Sequence, residues 1–323
     1  MHTLTVPFLA CNVNVRPSLH VVGLPSANAI NGLAHAIVRL INQLMGVSVA
    51  DHGAALALNT YTLLPGRQKH QLAMKGDLAD AKSASGAPMI DDRLAMIEGW
   101  LVLRFDASLS DVGKIGLRLE DLAEQIQRLS FAGGTLEILE NLRLNENDDL
   151  GNDALGKLPS YSRLVVDQTN YLGAYAACYE IDHFEAMVRL LVSSEQQMEN
   201  FNKPAVAKET KQGEQVDEVG NLSQTTCSED DQAINEELDA DKADWETAYL
   251  GRLVPIDIGY RALETPKPRN ARGGYLHVYA EPVTGLARIQ LVASYLRQKG
   301  DSAFWKHHNK HPIYISTGVL TNV

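Results

Sequence analysis

A rigid turn running straight into an amphipathic helix constrains this chain most: residues 22–45 read VGLPSANAINGLAHAIVRLINQLM. Pro25 fixes its own φ and disfavours a helical residue before it. Ser26 or Asn28 can cap the helix, because a short polar side chain accepts from the free N–H groups of a first turn. Ala29, Leu33, Ile37, Leu40 or Ile41, and Leu44 recur every three or four residues and make one face apolar. Gly46 follows as a stop signal. Such a helix has to bury its face against another layer, so the flanking segments decide the architecture.

Those segments read as strands. Leu4 to Val15 predicts a first strand, with Pro7 favouring an edge position, and Ala54 to Leu64 predicts a second. Met96 to Phe105 predicts a third, Val112 to Leu129 a helix, and Leu136 to Leu144 a fourth strand after the turn at Phe131-Ala132-Gly133-Gly134-Thr135. Between the second and third strands, residues 65–93 hold Arg67, Lys69, His70, Lys75, Lys82 and Arg93, with little apolar periodicity. That is long for a hairpin loop, and long loops in compact domains are often functional or disordered. Without this excursion the order is βαββαβ, an α+β pattern of ferredoxin-like or RRM-like type. Many unrelated functions use that pattern, so it does not decide the function.

The rest of the chain is less regular. Residues 158–166 predict a strand and 182–202 a helix. Residues 253–258 and 275–279 predict strands and 286–296 a helix. The expected organisation is a body at 1–150 with a thumb-like excursion at 65–93, then a mixed helical segment at 151–201. An acidic flexible insert at 202–244 follows, and 245–323 packs back on the body. Charge supports the insert. Residues 209–246 hold 13 of the chain's 40 Asp and Glu but only two of its 29 Lys and Arg. The whole net charge of −11 therefore sits there, and the remainder is neutral and free to carry a basic groove. No apolar run approaches the roughly 18 residues of a membrane span, so no membrane partner is expected. The first residues show no signal-peptide pattern. Three widely spaced cysteines fit a reducing cytoplasm.

Candidate chemistry is sparse. His307, His308 and His311 invite a metal reading, but no cysteine or carboxylate completes an ordered ligand spacing, so a basic nucleic-acid-facing patch is preferred. His20 or His35 could serve as a general base for RNA cleavage, but neither has a visible second group, and His35 sits mid-helix among apolar residues as a core or interface histidine would. Gly133 and Gly134 follow a helix rather than opening one, unlike a P-loop, which leaves a sharp turn or a backbone approach to RNA. Arg269, Asn270 and Arg272 stand on a loop stiffened by Pro266 and Pro268; arginine contacts phosphate or a base edge bidentately, and asparagine can read a base edge. No catalytic constellation, metal or cofactor is expected.

Together these segments resemble one family, the Cas-five-type subunit (the second of the Csy proteins) of type I-F CRISPR surveillance complexes, within the RAMP superfamily of RRM-like RNA binders. Gly23-Leu24-Pro25-Ser26 and Gly32-Leu33-Ala34-His35-Ala36-Ile37-Val38-Arg39 are similar to the family's Gly-Phe-Pro-Ser turn and Gly-Phe-x-His-Ala-Leu-x-Arg helix. Ala132-Gly133-Gly134-Thr135 resembles its Ala-Gly-Gly-Ser segment. Val254-Pro255-Ile256, Gly259-Tyr260-x-Ala262-Leu263, Arg269-Asn270-Ala271-Arg272 and Trp305-x-His307-His308 resemble later family segments, in the right order. Val22 stands where the family usually has tryptophan, which marks a divergent branch. The resemblance implies a non-catalytic prokaryotic cytoplasmic subunit that caps the 5′ handle of a CRISPR RNA. Its partners would be the large subunit and the first backbone subunit, with target DNA met indirectly. The thumb-like excursion would fold across the RNA. Arg39, Arg67, Lys69, Arg269 and Arg272 are then the candidate phosphate or base contacts, with Asn270 a base reader and Gly133, Gly134, His307 and His308 further RNA-facing positions. A RAMP-type endoribonuclease and an RRM-like protein-interaction module are the competing readings.

Overall fold

The computed structural model describes residues 1–18, 21–65, 67–70, 89–202, 252–268, 276–297, 303–310 and 312–318. The first strand, β1 (His2–Asn14), leads through the turn into α1 (Ala27–Met45), and β2 (Ala50–Leu63) returns. Ser26 is the cap: its hydroxyl accepts from the Ala29 N–H at 3.1 Å. Gly46 closes the helix in the left-handed region at φ 61°, its N–H donating to the Asn42 carbonyl. The excursion opens as a β-ribbon, β3 (Arg67–His70) against β4 (Met89–Asp92), before β5 (Leu94–Asp106) pairs antiparallel with both β1 and β2.

The second expected helix is two helices, α2 (Leu109–Gly116) and α3 (Leu119–Ile126). The break falls at Leu117 and Arg118; Leu117 is 87% exposed, so the apolar stripe that suggested one continuous helix loses its register there. A two-residue strand β6 (Ser130–Phe131) turns into β7 (Gly134–Ile138), and β8 (Arg143–Asn145) pairs with the start of β1. Then come α4 (Asn152–Gly156), β9 (Arg163–Asp167), α5 (Thr169–Cys178) and α6 (His183–Asn202). After residue 251 the described chain continues with β10 (Arg252–Ala262), a small ribbon of β11 (Lys267–Pro268) and β12 (Leu276–His277), β13 (Ala280–Leu291), α7 (Val292–Tyr295), β14 (Trp305–Lys310) and β15 (Ile313–Gly318).

Among the described residues eleven strands form one sheet, in the order β14-β15-β10-β13-β9-β2-β5-β1-β7-β6, with β8 alongside β1. All of its pairings are antiparallel. One further pairing, Trp305 with Ala54, ties β14 back to β2. The sheet curls around α1, which lies against β2 and also against β10, β14 and β15. This explains why α1 buries more than one stripe: Ile30, Leu33, Ala34, Ile37, Val38 and Ile41 are all buried, with Ala29, Leu40 and Leu44 partly so. Leu4, Val6, Phe8 and Ala10 of β1 and Ile97, Leu101, Leu103 and Phe105 of β5 meet that helix layer, all at odd or all at even positions of their strand as a pleated strand requires. The opposite face of β2, β5 and β9 is covered by α4, Val292 and Phe304, and α5 and α6 cover β10 and β13 through Leu172, Met187, Leu190, Leu253 and Leu286.

Residues 286–296 were expected to be a helix and are mostly strand. Leu286, Ala287, Arg288 and Gln290 of β13 are all buried between β10 and β9, so the helix-like spacing of apolar residues reflects burial on two faces. Only Val292–Tyr295 stays helical. Of the expected strand at 275–279, the described residues 276–279 hold the two residues of β12. The helix α5 was not foreseen; its apolar residues are spread around the axis instead of forming a stripe. The acidic insert lies outside the described residues from 203 on.

Candidate nucleic-acid interface

Three separate features of the sequence meet at the N-terminal end of α1. The Gly23 N–H donates to the Val15 carbonyl at 2.8 Å and the Val15 N–H to the Arg93 carbonyl at 2.9 Å, which ties the lead-in turn to the end of β1 and the root of the excursion. The Asn14 N–H donates to the Ala132 carbonyl at 3.0 Å, adding the Gly133 turn to the same cluster. The Tyr61 hydroxyl donates to the Gly23 carbonyl at 2.5 Å. Burial holds that phenol's pKa above its ordinary value, so it stays a donor.

On its other side the same helix end is tied to the C-terminal hairpin. Ser316 Oγ donates to Asn28 Oδ1 at 2.7 Å, and His307 Nδ1 lies 3.3 Å from Ser316 Oγ. Asn31, one turn further along that side, is buried, and its amide nitrogen has no partner among the described residues. No acidic side chain occupies the first turn of α1, so the helix's own first turn does not offset the positive end of its dipole.

The Ala132-Gly133 turn has φ of 46° and 81°, the doubly positive pattern of a tight two-residue hairpin turn between β6 and β7. A Cβ on Gly134 would stand 2.5 Å from the Cys11 carbonyl oxygen and 2.9 Å from the Val13 nitrogen. Both glycines are thus accounted for by chain geometry, the first by its dihedral and the second by the approach of β1.

The other candidates scatter. Arg39 is exposed on α1, eleven residues past Asn28 and so about 16 Å along the axis at 1.5 Å per residue. His35 shares its narrow solvent stripe with Gly32; it is exposed, not a core histidine, because the sheet covers the other sides of the helix. Strand alternation sends His307 and His308 to opposite faces of β14, so they form no single patch. Arg67 and Lys69 lie on β3, with backbone partners Asp92 and Ile90. Arg269, Asn270 and Arg272, with His20 and His311, lie outside the described residues.

Sequence reasoning missed two features. Asp257 is buried on β10 at a bulge, where its Oδ1 accepts the Gly259 N–H at 3.1 Å; burial raises its pKa to about 6 despite that bond. Tyr260 stacks on Tyr314 of β15, ring centres 5.2 Å apart and planes 23° apart. The Gly-Tyr pair at 259–260 was the visible signal for both, since a strand glycine marks a bulge. Among the described residues no group of three or more His, Cys, Asp or Glu is placed to hold a metal, and no helix is long and apolar enough to cross a membrane.

The geometry defines a mixed α/β protein on a large antiparallel sheet, with turns, ribbon and hairpin gathered at one helix end. Comparison with known families places it further: the model of the CRISPR-associated protein family (Cas_Csy2) matches residues 4–315, and the chain belongs to that family. No curated protein matches it.

Proposed function

We propose that the chain is a non-catalytic subunit of a type I-F CRISPR surveillance complex in the prokaryotic cytoplasm. It holds the 5′ handle of the CRISPR RNA and docks against the large subunit and the first backbone subunit, meeting target DNA only through them. The observation that carries this reading is the family match over residues 4–315, which spans the excursion, the glycine turn, α1 and most of the C-terminal hairpin together. A ferredoxin-like RAMP body is supported by the order β7-β1-β5-β2: counted along the chain these are strands four, one, three and two of a βαββαβ unit, with α1, α2 and α3 on one face.

Single-stranded RNA is held by phosphate contacts plus unstacked bases laid on protein surfaces. The excursion, leaving the sheet beside Arg93 and the α1 end, suits a thumb that closes over such a strand. Arg39, Arg67, Lys69, Arg269, Asn270 and Arg272 are the proposed contacts, with His307 beside the α1 end.

Co-expression with a CRISPR array and the neighbouring CRISPR proteins tests this. Purification should recover a guide with an intact 5′ handle in the complex, and Arg269→Glu with Arg272→Glu should lose it. Recovery of this chain alone and free of RNA, or cleavage of the repeat by this chain alone, would sink the proposal.

A further inference from the structure

Four exposed or half-exposed side chains line up across four strands at the end of the sheet. Pro282 of β13 pairs with Tyr260 of β10, Tyr260 with Tyr314 of β15, and Tyr314 with Asn309 of β14. Directly opposed residues share a face, so this is one continuous row. Tyr260 is 40% exposed, Pro282 and Asn309 are exposed and Tyr314 is half-buried. The two tyrosine rings stack on each other as an aromatic pair at the centre of the row.

The backbone is shaped to produce that surface. A bulge between Asp257 and Gly259 resets the register of β10 immediately before Tyr260. Gly259 has φ +154°, and a Cβ there would stand 2.1 Å from the Tyr314 carbonyl oxygen. The glycine therefore lets β15 approach, and Asp257 fixes the bulge by accepting the Gly259 N–H. Bulges of this kind re-aim the next side chain.

The row's border decides what it suits. Along β15, two residues on and on the same face, comes Ser316 with His307 and Asn28. Asn309 closes the other end of the row. These are polar donors and acceptors beside an aromatic plane. Arg261, next to Tyr260 in sequence, is ion-paired to Glu281. Flat apolar rings edged by amide and imidazole groups match a nucleobase, with a π-face to stack and an edge to hydrogen-bond, better than they match a phosphate.

We propose that Tyr260 and Tyr314 form a stacking platform for one unpaired base of a single-stranded RNA, with Asn309 and His307 at its edge. This rests on the RNA-holding function proposed above and names a contact within it. The test titrates the full chain against a fluorescein-labelled eight-nucleotide RNA copied from its own CRISPR repeat, read by anisotropy. Tyr260→Ala and Tyr314→Ala should each weaken binding by about 5- to 150-fold, the range of one stacked base, and the Phe variants by less than about threefold. An abasic sugar at the stacked position should weaken the wild type by the same factor and leave the Ala variants unchanged.

Wild type that binds the RNA, with Ala variants binding equally well, overturns the platform and leaves the handle reading standing. Wild type that binds no RNA overturns both. Should the Ala variants fail to fold, ultraviolet crosslinking of the wild type decides by mass spectrometry. An RNA adduct on Tyr260 or Tyr314 supports the platform, and adducts found only elsewhere overturn it.

Discussion

Replacing Asp257 by asparagine should make the protein more stable at neutral pH, with a gain that disappears in acid. The carboxyl is buried, and among the described residues its hydrogen bond comes from the Gly259 N–H. Burial dominates and raises its pKa from 3.8 to about 6. The folded chain thus holds this proton more tightly than the unfolded chain does. Stability from this group is fully present below pH 3.8 and is lost as pH rises through about 6. At about 1.36 kcal/mol per pH unit the loss reaches about 3 kcal/mol. Asparagine keeps an oxygen to accept the Gly259 N–H and has no proton to lose. Urea unfolding of both proteins from pH 4.5 to 8 gives the difference at each pH, and titrations shared by the two chains cancel. That difference should shift in favour of Asp257→Asn by about 2 kcal/mol across the interval and level off above pH 7. A difference that stays flat across the whole range would refute the reasoning: the carboxylate would then be ionised at no cost.

The two glycines of the β6–β7 turn should separate cleanly. Gly134→Ala drives a Cβ into the backbone of β1 and should cost more than about 2 kcal/mol, whereas Gly133→Ala has open space and should cost only the roughly 1–2 kcal/mol of a left-handed alanine, both read from urea midpoints. Ser26→Ala removes the cap of α1 and should cost about 1 kcal/mol, while Ser26→Asp, which can still accept from the first turn, should retain most of it.

The N-terminal body was legible because its signals are local. β1, β2 and β5 are long apolar runs, buried on both faces over much of their length, and α1 has a helical period with a cap at Ser26 and a stop at Gly46. The C-terminal half was less legible because its strands are buried by partners far away in sequence. β13 reads as helical until β9 and β10 are placed on its two sides, and Arg288 is accommodated inside with Gln168 Oε1 accepting from it at 2.8 Å. The site followed the same rule. The lead-in turn and the Gly133-Gly134 turn were visible as motifs, but their convergence rests on backbone bonds to Val15, Arg93 and Ala132 that no spacing reveals. The Tyr260–Tyr314 stack needed the register of two strands that lie more than fifty positions apart.

The bond between Ser316 and Asn28 spans 288 positions, and the strand pairing of Trp305 with Ala54 closes the curl of the sheet across almost as many. During synthesis α1 therefore emerges long before its last covering arrives. Until Trp305 is made, one side of Ala54 and the flank of α1 stay wet, and the helix end stands open. A nascent chain of this kind has a long interval in which the helix end stays accessible before the hairpin seals it. The order of translation thus sets the order in which the proposed binding surface is built, with its aromatic and histidine side completed last.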